Sequence, residues 1–326
     1  MTNTEIKQKL KRDCLYAALM GDALGVPHEF KTPGRINVEY IKNPQLITKD
    51  YKTYPVDIGL ISDDGSQILM VENIIDNPTL VMPNELISWM SGKYWTNNTL
   101  FDIGQQTRTA IASLRDTGKI YNDPNGSGNG SLMRTLPVAF MDNNNTKFFA
   151  HNFSSFTHNS EESQKACEFY CLLVRKLWEL RAAYPSKKIE KHTFVSTWMR
   201  TEYEMNWYIR PDQTGRPEII KGTGYVMDSL KLVYRIIYRS LCFTDCILNS
   251  ICHGFDTDTN TSIVAPVAAL MFGMDDVPQS WHDMMKVNDS NPYYVKYAQL
   301  VKEYSWQFLD GFLFWCHLDI HHWCIC

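Results

Sequence analysis

Apolar residues recur every three or four positions along most of this chain, which is the spacing of one face of an α-helix. Residues 166–180 and 226–241 show it most regularly. In the first of these segments the repeat is carried by Ala166, Phe169, Tyr170, Leu173, Val174, Leu177 and Leu180. Further helices are predicted over 4–24, 63–77, 83–93, 102–117, 130–140, 145–156, 191–204, 243–252, 259–272 and 293–312. Strand-like alternation is limited to short pieces near 36–40 and 51–58, so the pattern predicts an all-α fold.

The predicted helices follow one another without a break in composition. Turn-rich segments separate individual helices rather than two halves, and 326 residues with 44% hydrophobic and 21% charged content suit a globular protein with a sizeable core. One domain is therefore expected over residues 1–275. The stretch DDVPQSWHDMMKVNDSNP changes character, so residues 276–326 are expected to form a helical appendage, either separate or packed on the same domain.

Charge and cysteine content indicate a reduced, cytoplasmic protein. The formal net charge of -4 gives no general attraction to nucleic acids or anionic membranes, and the nine cysteines form neither a disulfide pattern nor a CxxC zinc site. Asp22 interrupts the apolar run CLYAALMGDALG, which argues against an export signal. The C-terminal stretch WQFLDGFLFWCHL contains Asp310 and is too short to span a bilayer.

The C-terminal sequence CHLDIHHWCIC raises the alternative of a zinc site. Its candidate ligands are Cys316, His317, His321, His322, Cys324 and Cys326. Their spacing matches no standard structural zinc site, so an ordinary chain terminus is the preferred interpretation.

Two acidic motifs lie at predicted helix starts. In GFDTDTNT (254–261), an EF-hand loop beginning at Asp256 would need glycine and glutamate where Thr261 and Val267 stand, so that interpretation fails. The motif ISDDGSQ (61–67) carries a second cluster of oxygen-bearing side chains. Helix capping is the simpler role for each motif alone.

Two such clusters beside apolar segments favour a metal site over simple capping. Unpaired charges there would be costly, and hard divalent cations such as Mg²⁺ prefer oxygen ligands. In GDALGVPHEF (21–30), Glu29 follows a helix end and could be only an exposed loop residue. With Glu29 the set becomes five carboxylates, Glu29, Asp63, Asp64, Asp256 and Asp258, which two divalent ions would nearly neutralise.

Three further motifs could face a ligand. The glycine-rich NGSGNGSLMR (125–134) could bring backbone N–H groups to a phosphate, although Met133 and Arg134 exclude a Walker loop and a tight connection is the alternative. His158 in FTHNSEES could be a structural hydrogen-bonding group. Asp102 in DIGQQT could be a helix cap.

Taken in order, GDALGVPHEF, ISDDGSQ, DIGQQTRTAI, GNGSLMR, THNSEES and GFDTDTN resemble the motifs of the ADP-ribosylglycohydrolase family over residues 11–275. The resemblance implies an orthogonal helix bundle with two Mg²⁺ ions, or Mn²⁺, in a central cleft. The metal ligands it implies are Ser62, Asp63, Asp64, Asp256, Asp258 and Thr259. It implies catalytic roles for Glu29 and Asp63. The substrate-binding residues it implies are Asp102, Gly126, Ser127, Gly128, Asn129, Gly130, Ser131 and His158.

This chain departs from the family pattern at two positions in the first acidic motif. Ser62 stands where threonine is common, which should keep the hydroxyl ligand. Gly65 replaces the threonine that usually follows the second aspartate, and this change is expected to loosen the support behind the metal ligands.

The activity that the resemblance implies is hydrolysis of the bond between C1″ of ADP-ribose and an acceptor, with ADP-ribose as product. Two cations would orient the sugar, and Glu29 would provide acid and base help. The partner would be an ADP-ribosylated protein or other acceptor, bound by a monomer. Alternatives are a catalytically silent ADP-ribose-binding module and a metal-dependent hydrolase of a phosphorylated small molecule. The acceptor would contact the variable loops near 27–35, 118–128 and 207–224.

Overall fold

A computed structural model describes residues 1–95, 100–141, 145–205 and 221–285, together with residue 300. The α-helices, in chain order, are α1 (Asn3–Gly25), α2 (Val38–Lys42), α3 (Asp63–Asp76), α4 (Met82–Met90), α5 (Gln105–Thr117), α6 (Thr146–Ser155), α7 (Glu161–Ala183), α8 (Lys191–Glu204), α9 (Val226–Arg239), α10 (Phe243–Cys252), α11 (Thr257–Phe272) and α12 (Gln279–Met284). Short 3₁₀ helices span Val26–His28, Pro33–Arg35, Pro44–Leu46 and Leu136–Phe140. No β-strand forms in this part of the chain, so the predicted all-α class is confirmed.

Helix α11 lies at the centre of the fold. Every residue from Thr257 to Phe272 is buried, and the helix packs against α1, α7, α9 and α10. A helix that is apolar on all sides needs protein on all sides, and the sequence SIVAPVAALMF of this helix meets that condition. The C-terminal half of α1, from Cys14 to Gly25, is equally buried.

Two glycines allow α1 and α11 to pack backbone to backbone. A Cβ atom on Gly21 would lie 2.7 Å from the carbonyl oxygen of Thr261, and one on Gly25 would lie 2.3 Å from Cα of Asp258. Only the absence of side chains at these two positions permits so close a crossing. The end of α1 therefore lies directly beside the start of α11.

The predicted helix over 130–140 is wrong. Residues 131–134 form turns, and only Leu136–Phe140 are helical, as a 3₁₀ segment. Pro137 cannot donate a backbone hydrogen bond and disfavours a helical conformation at the residue before it, which weakens an α-helix here, whereas α11 accommodates Pro266 in its fully buried interior. The strand-like pieces near 36–40 and 51–58 also contain no strand, only the start of α2, turns and bends.

The described part of the predicted appendage packs on the rest of the fold. The Tyr16 hydroxyl lies 2.9 Å from Nδ1 of His282 in α12, and the indole N–H of Trp281 donates to the carbonyl of Ile41 at 2.7 Å. The division at residue 276 stays a prediction. The predicted helix 293–312, except Leu300, and the Cys/His tail lie outside the described residues. Within them, no helix has the length and apolar character needed to cross a membrane.

Candidate metal centre and cleft

The two acidic motifs meet at the N-termini of α3 and α11. The Thr259 hydroxyl donates to Oδ2 of Asp64 at 3.1 Å, although the two residues are 195 positions apart in sequence. The Ser62 hydroxyl donates to the same carboxylate oxygen at 3.2 Å. The structure thus brings the motifs ISDDGSQ and GFDTDTN into direct contact.

Helix capping accounts for Ser62 but not for the aspartates. Ser62 is the N-cap of α3, and its hydroxyl accepts a hydrogen bond from the backbone N–H of Asp64 at 3.2 Å. Asp256 holds the N-cap position of α11 without a capping hydrogen bond from its side chain. Its Oδ2 instead accepts from the Nδ2 amide of Asn129 at 2.8 Å. The carboxylates of Asp63, Asp64 and Asp258 also lie beyond the cap positions, inside their helices.

Asp22, in α1, belongs to the same cluster and was missed from the sequence. Its Oδ2 accepts hydrogen bonds from the backbone N–H groups of Ser62, at 2.9 Å, and Gly65, at 2.8 Å. Ligand atoms of Asp22, Asp64 and Asp258 lie within 4.8 Å of one another, as do those of Glu29, Asp256 and Asp258. A lone aspartate in the apolar run YAALMGDALG was the signal that could have identified it.

The structure does not show the loosening expected at Gly65. A Cβ atom there would lie 2.7 Å from Oδ2 of Asp22 and 2.9 Å from both Cβ of Ile61 and Cδ2 of Leu19. The space that a side chain would need is therefore filled. Because Gly65 has no side chain, the Asp22 carboxylate can approach the start of α3 and hold it by hydrogen bonds.

Burial makes these carboxylates difficult to ionise in the protein alone. Burial is the main cause that raises the pKa of Asp22 to about 7 and that of Glu29 to about 9. It also raises the pKa values of Asp63, Asp64 and Asp258 well above the ordinary range, with neighbouring carboxylates adding to the effect.

Several buried oxygens of this cluster have no hydrogen-bond partner among the described residues. They are Oδ1 of Asp22, Oδ1 of Asp64, Oδ2 of Asp258 and Oε2 of Glu29. Unpaired buried oxygens with raised pKa values are unfavourable unless a positive charge joins them. A set made only of carboxylate and hydroxyl oxygens fits a hard divalent cation.

A cavity of about 310 Å³ opens onto this cluster. The predicted site residues that line it are Glu29, Asp63, Asp102, Gly128, Asn129, Gly130, His158, Asp256 and Thr259. Ser62, Asp64 and Asp258 lie buried outside the lining. Part of the acidic cluster therefore faces the cavity, and the rest lies buried behind that part.

Three predicted substrate-binding residues do not line the cavity. Ser131 is fully buried, with its hydroxyl 2.8 Å from that of Ser154. The Ser127 hydroxyl donates to the hydroxyl of Ser160 at 3.2 Å, and the carbonyl of Gly126 accepts from Nε2 of Gln106 at 2.8 Å. These contacts shape the loop from behind the cavity.

The glycine-rich loop packs tightly on His158. A Cβ atom on Gly128 or Gly130 would lie 3.1 or 3.0 Å from the imidazole ring, so both positions require a small residue. Burial lowers the pKa of His158 to about 3, with the charge of Arg134 adding to the effect, so the ring is neutral. Its Nδ1 lies 2.8 Å from the Thr157 hydroxyl.

The helix N-terminus at the cavity belongs to α5, not to the glycine-rich loop. Gly104, Gln105, Gln106 and Thr107 all line the cavity, and Gly104 is an N-cap without a side-chain hydrogen bond. Sequence reasoning missed this role for the GQQT segment, and it gave helix capping as the alternative to a substrate-binding role for Asp102. The first-turn N–H groups of α5 form an arrangement that suits an anionic ligand.

Asp102 instead belongs to a small polar group with Glu29 and Tyr54. The Tyr54 hydroxyl donates to Oδ1 of Asp102 at 2.6 Å, and the charge of Asp102 adds to the effect of burial in raising the pKa of Glu29. Asp102 has a φ of 53°, a left-handed conformation that aspartate tolerates better than most residues. Asp102 and Glu29 both line the cavity, so two carboxyl groups face the same space.

Fold and site together define an all-α protein with a candidate divalent-metal centre in a cleft. The sequence profile of the ADP-ribosylglycohydrolase family matches residues 3–307. The chain therefore belongs to the ADP-ribosylglycohydrolase family, which confirms the resemblance seen in its motifs, and it is a hydrolase of ADP-ribose linkages.

Similar proteins agree with this assignment. The chain is 24% identical to the ADP-ribosylarginine hydrolase Tri1 of Serratia proteamaculans, over 84% of this chain and 74% of that protein. It is 22% identical to the ADP-ribosyl-[dinitrogen reductase] glycohydrolase of Rhodospirillum rubrum, over 80% of this chain and 85% of that protein. A solved structure titled ADP-ribosylglycohydrolase-related protein complex has the same fold, with a TM-score of 0.68 and 19% identity over 86% of this chain and 94% of that one.

Proposed function

We propose that this protein is a Mg²⁺-dependent hydrolase that cleaves the ribosyl C1″ bond of ADP-ribosylated acceptors and releases ADP-ribose. The observation that carries the proposal is the placement of Glu29 in the same cavity as Asp63 and Asp256. The Tri1 relatives are named for ADP-ribosylarginine, which makes an arginine guanidinium the acceptor to test first.

The cluster at α3 and α11 would hold the cations. The ligands we assign are Ser62, Asp63, Asp64, Asp256, Asp258 and Thr259, with Asp22 as a carboxylate behind them. Two Mg²⁺ ions, or Mn²⁺, would supply positive charge that holds the ribose hydroxyls and offsets the carboxylates. The unpaired oxygens of Asp22, Asp64 and Asp258 support this assignment.

The chain's own residues would handle the proton. Burial raises the pKa of Glu29 to about 9, so this carboxyl holds a proton at neutral pH. As the C1″ bond breaks, that proton passes to the leaving acceptor atom; a water oxygen bonds to C1″ and returns a proton to Glu29. Tyr54 and Asp102, which are hydrogen-bonded to each other, would form the polar surroundings of this carboxyl, and Asp63 in its ionised form would stabilise positive charge at C1″.

The remaining walls of the cleft suit the diphosphate. The first turn of α5 offers backbone N–H groups, and the backbone of Gly128 to Gly130 lies close to them in the same cavity. No lysine or arginine lines the cavity in the described part of the chain, so these backbone dipoles are the groups available for a phosphate.

Replacement of Asp63 tests the proposal. Asp63→Asn keeps the size of the side chain but removes the charge, so Mg²⁺-dependent release of ADP-ribose from ADP-ribosylarginine should fall at least about 100-fold while the fold stays intact. Asp116→Asn, at an exposed position on α5, is the matched control and should retain activity. Release would be followed by chromatography, with chelator and with Mg²⁺.

A silent ADP-ribose-binding module gives a different result. The wild-type protein would then bind ADP-ribose in calorimetry but release none from any modified acceptor. Full activity of Asp63→Asn would reject the site assignment, and a product other than ADP-ribose by mass would favour a different metal-dependent hydrolase.

We also propose that the protein is a cytoplasmic monomer. The unpaired thiols of Cys14, Cys167, Cys171 and Cys246 are buried, which suits a reducing compartment. Sedimentation analysis would test the monomeric state.

A further inference from the structure

Phe30 presents an exposed aromatic ring at the edge of the cleft. The residue follows Glu29 directly and lines the same cavity, yet 66% of it is exposed. Its φ is 61°, in the left-handed region that a bulky side chain rarely adopts. A large aromatic residue in this backbone conformation needs an explanation.

The left-handed conformation of Phe30 is held by backbone hydrogen bonds to the segment that precedes α11. The N–H of Phe30 donates to the carbonyl of Phe255 at 2.7 Å, and the N–H of Phe255 donates to the carbonyl of Lys31 at 2.8 Å. Phe255 is itself left-handed, with a φ of 64°, and it precedes Asp256. This reciprocal pair therefore holds Glu29 and Asp256, two lining carboxylates from opposite ends of the fold, in fixed relation.

The neighbours of Phe30 in the segment 28–31 are fixed by internal contacts. Nδ1 of His28 lies 2.9 Å from the Tyr51 hydroxyl, the Glu29 carbonyl accepts from the Thr53 hydroxyl at 2.6 Å, and Nζ of Lys31 donates to the Pro27 carbonyl at 2.7 Å. Hydrogen bonds thus fix the residues on both sides of Phe30, while the Phe30 ring itself is exposed to solvent.

Fold stability does not account for a phenylalanine here. Glycine or asparagine would adopt the left-handed conformation with less strain, and a ring this exposed gains little from burial. The ring is therefore best explained by contact with a molecule that enters the cleft.

The residues that line the cavity beside the Phe30 ring favour a positively charged acceptor group. Glu29, Asp63, Asp102 and Asp256 line this cavity, and no lysine or arginine of the described residues does. With the buried Asp22, Asp64 and Asp258 behind them, seven carboxyl groups gather here, so two divalent cations and a proton on Glu29 would still leave a net negative charge. A planar guanidinium is attracted to such carboxylates and also stacks on an aromatic face, whereas a neutral hydroxyl acceptor gains neither contact. The diphosphate would avoid this corner for the same electrostatic reason.

We infer that Phe30 is a specificity-determining residue whose ring stacks on the guanidinium of an arginine acceptor during hydrolysis. This inference rests on the proposed function, because it takes Glu29 to act at the bond between C1″ and the acceptor. The ring lies next in sequence to the group that protonates the leaving nitrogen, which places it on the acceptor side of that bond.

Phe30→Leu and Phe30→Tyr test the inference. Leucine keeps an apolar side chain without an aromatic face, so KM for ADP-ribosylarginine should rise about tenfold with little change in kcat, while the tyrosine variant stays close to wild type. Turnover of an ADP-ribosylserine substrate, where there is any, should not change. Phe148→Leu, which removes a similarly exposed ring on α6 (63%), is the matched control and should leave KM unchanged.

Calorimetry separates the two sides of the ligand. In a Glu29→Gln background with Mg²⁺, Phe30→Leu should weaken binding of ADP-ribosylarginine about tenfold but change ADP-ribose affinity less than about twofold. An equal loss for both ligands would assign the ring to the nucleotide and overturn the inference, as would no loss for either.

Failure of the proposed function is distinguishable from failure of this inference. A wild-type protein that releases no ADP-ribose contradicts the hydrolase activity, yet the ratio of the two affinities still decides whether Phe30 contacts the guanidinium. A further variant, Phe30→Gly, should melt at or above the wild-type temperature while losing the same affinity for ADP-ribosylarginine. A purely structural role for the ring would instead lower the melting temperature.

Discussion

At the scale of single residues, the absence of a side chain at Gly65 is matched by a contact from another helix. The sequence suggested a missing hydroxyl behind the metal ligands. In the structure the empty position admits the Asp22 carboxylate, which accepts N–H bonds from both Ser62 and Gly65. Position 65 and position 22 therefore depend on each other, because a side chain at position 65 would crowd the Asp22 carboxylate.

Gly65→Ala should destabilise the protein despite lying in the first turn of α3. In an ordinary helix, glycine to alanine stabilises by roughly 0.5–1 kcal/mol. Here the new methyl group would meet Oδ2 of Asp22 at 2.7 Å, so overpacking should instead cost about 1–3 kcal/mol in the free energy of unfolding. Urea denaturation would measure this cost.

Gly65→Ala should also weaken Mn²⁺ binding by about 10–100-fold, since Gly65 and Asp22 would orient the candidate metal ligands from behind. A titration followed by electron paramagnetic resonance would show it. The matched control is Gly34→Ala, because a Cβ atom at Gly34 meets nothing within 4 Å. Unchanged stability and unchanged affinity at position 65 would mean that Asp22 does not support the metal ligands.

The residues found from sequence were those whose chemistry stood out in short motifs. Acidic pairs at helix starts are conspicuous, so Asp63, Asp64, Asp256 and Asp258 could be identified. Asp22 was hidden because nothing in sequence reveals that its helix passes beside α3. Backbone groups at the start of α5 carry no residue-type signal at all, and only the fold shows that they face the cleft.

At the scale of elements, helical periodicity predicted most helices to within a few residues. Helix α8 has the predicted limits, and α3 ends one residue earlier than expected. The failure at 130–140 came from counting apolar residues without giving Pro137 enough weight. How the helices are arranged could not be read from periodicity, because it identifies the buried face of each helix but not its partner.

The crossing of α1 and α11 is the contact on which the site geometry depends. Gly25→Ala would place a methyl group 2.3 Å from Cα of Asp258, so the start of α11 must move. Because Asp258 belongs to both groups of candidate ligands, we expect Mn²⁺ affinity to fall at least about tenfold and the unfolding free energy to fall by about 1–3 kcal/mol.

Calorimetric titration and thermal melting of the metal-free protein would measure the two effects of Gly25→Ala separately. Loss of stability with full metal affinity would show that the crossing supports the fold but does not set the ligand geometry. Wild-type metal affinity together with wild-type stability would contradict the close approach of α1 and α11 at Gly25.

At the scale of the whole molecule, the candidate centre joins parts of the chain that are far apart in sequence. Asp22 and Glu29 come from its beginning, Asp63 and Asp64 from α3, and Asp258 from α11. Cation binding would therefore hold several elements of the fold together at once. Since such binding occurs only in the folded protein, it adds to global stability in proportion to the logarithm of free metal concentration.

This coupling predicts that the difference in stability between the metal-bound and the metal-free protein grows with pH. Burial raises the pKa of Asp22 to about 7 and of Glu29 to about 9, whereas the ordinary values are 3.8 and 4.5. Without metal, the folded protein therefore holds more protons than the unfolded chain. The stability that this provides is complete below the ordinary values and is lost as pH rises through the raised ones. Buried His28 and His158 have pKa values lowered to about 3, so they are neutral in both states above pH ~7 and do not contribute there.

Between pH 7 and 9, the metal-free protein should thus lose up to about 1.4 kcal/mol of stability per pH unit from Glu29, whereas Asp22 loses most of its contribution below about pH 8. Saturating Mg²⁺ replaces those protons, so the melting temperature with Mg²⁺ should stay nearly level and its excess over the chelated protein should widen toward pH 9. Melting curves at pH 7, 8 and 9 would measure that excess, and Glu29→Gln, which has no proton to lose, should flatten the decline of the chelated protein. A constant or shrinking excess would show that protons and cations do not compete for the same oxygens, and the carboxylates at the base of the cleft would then need another partner.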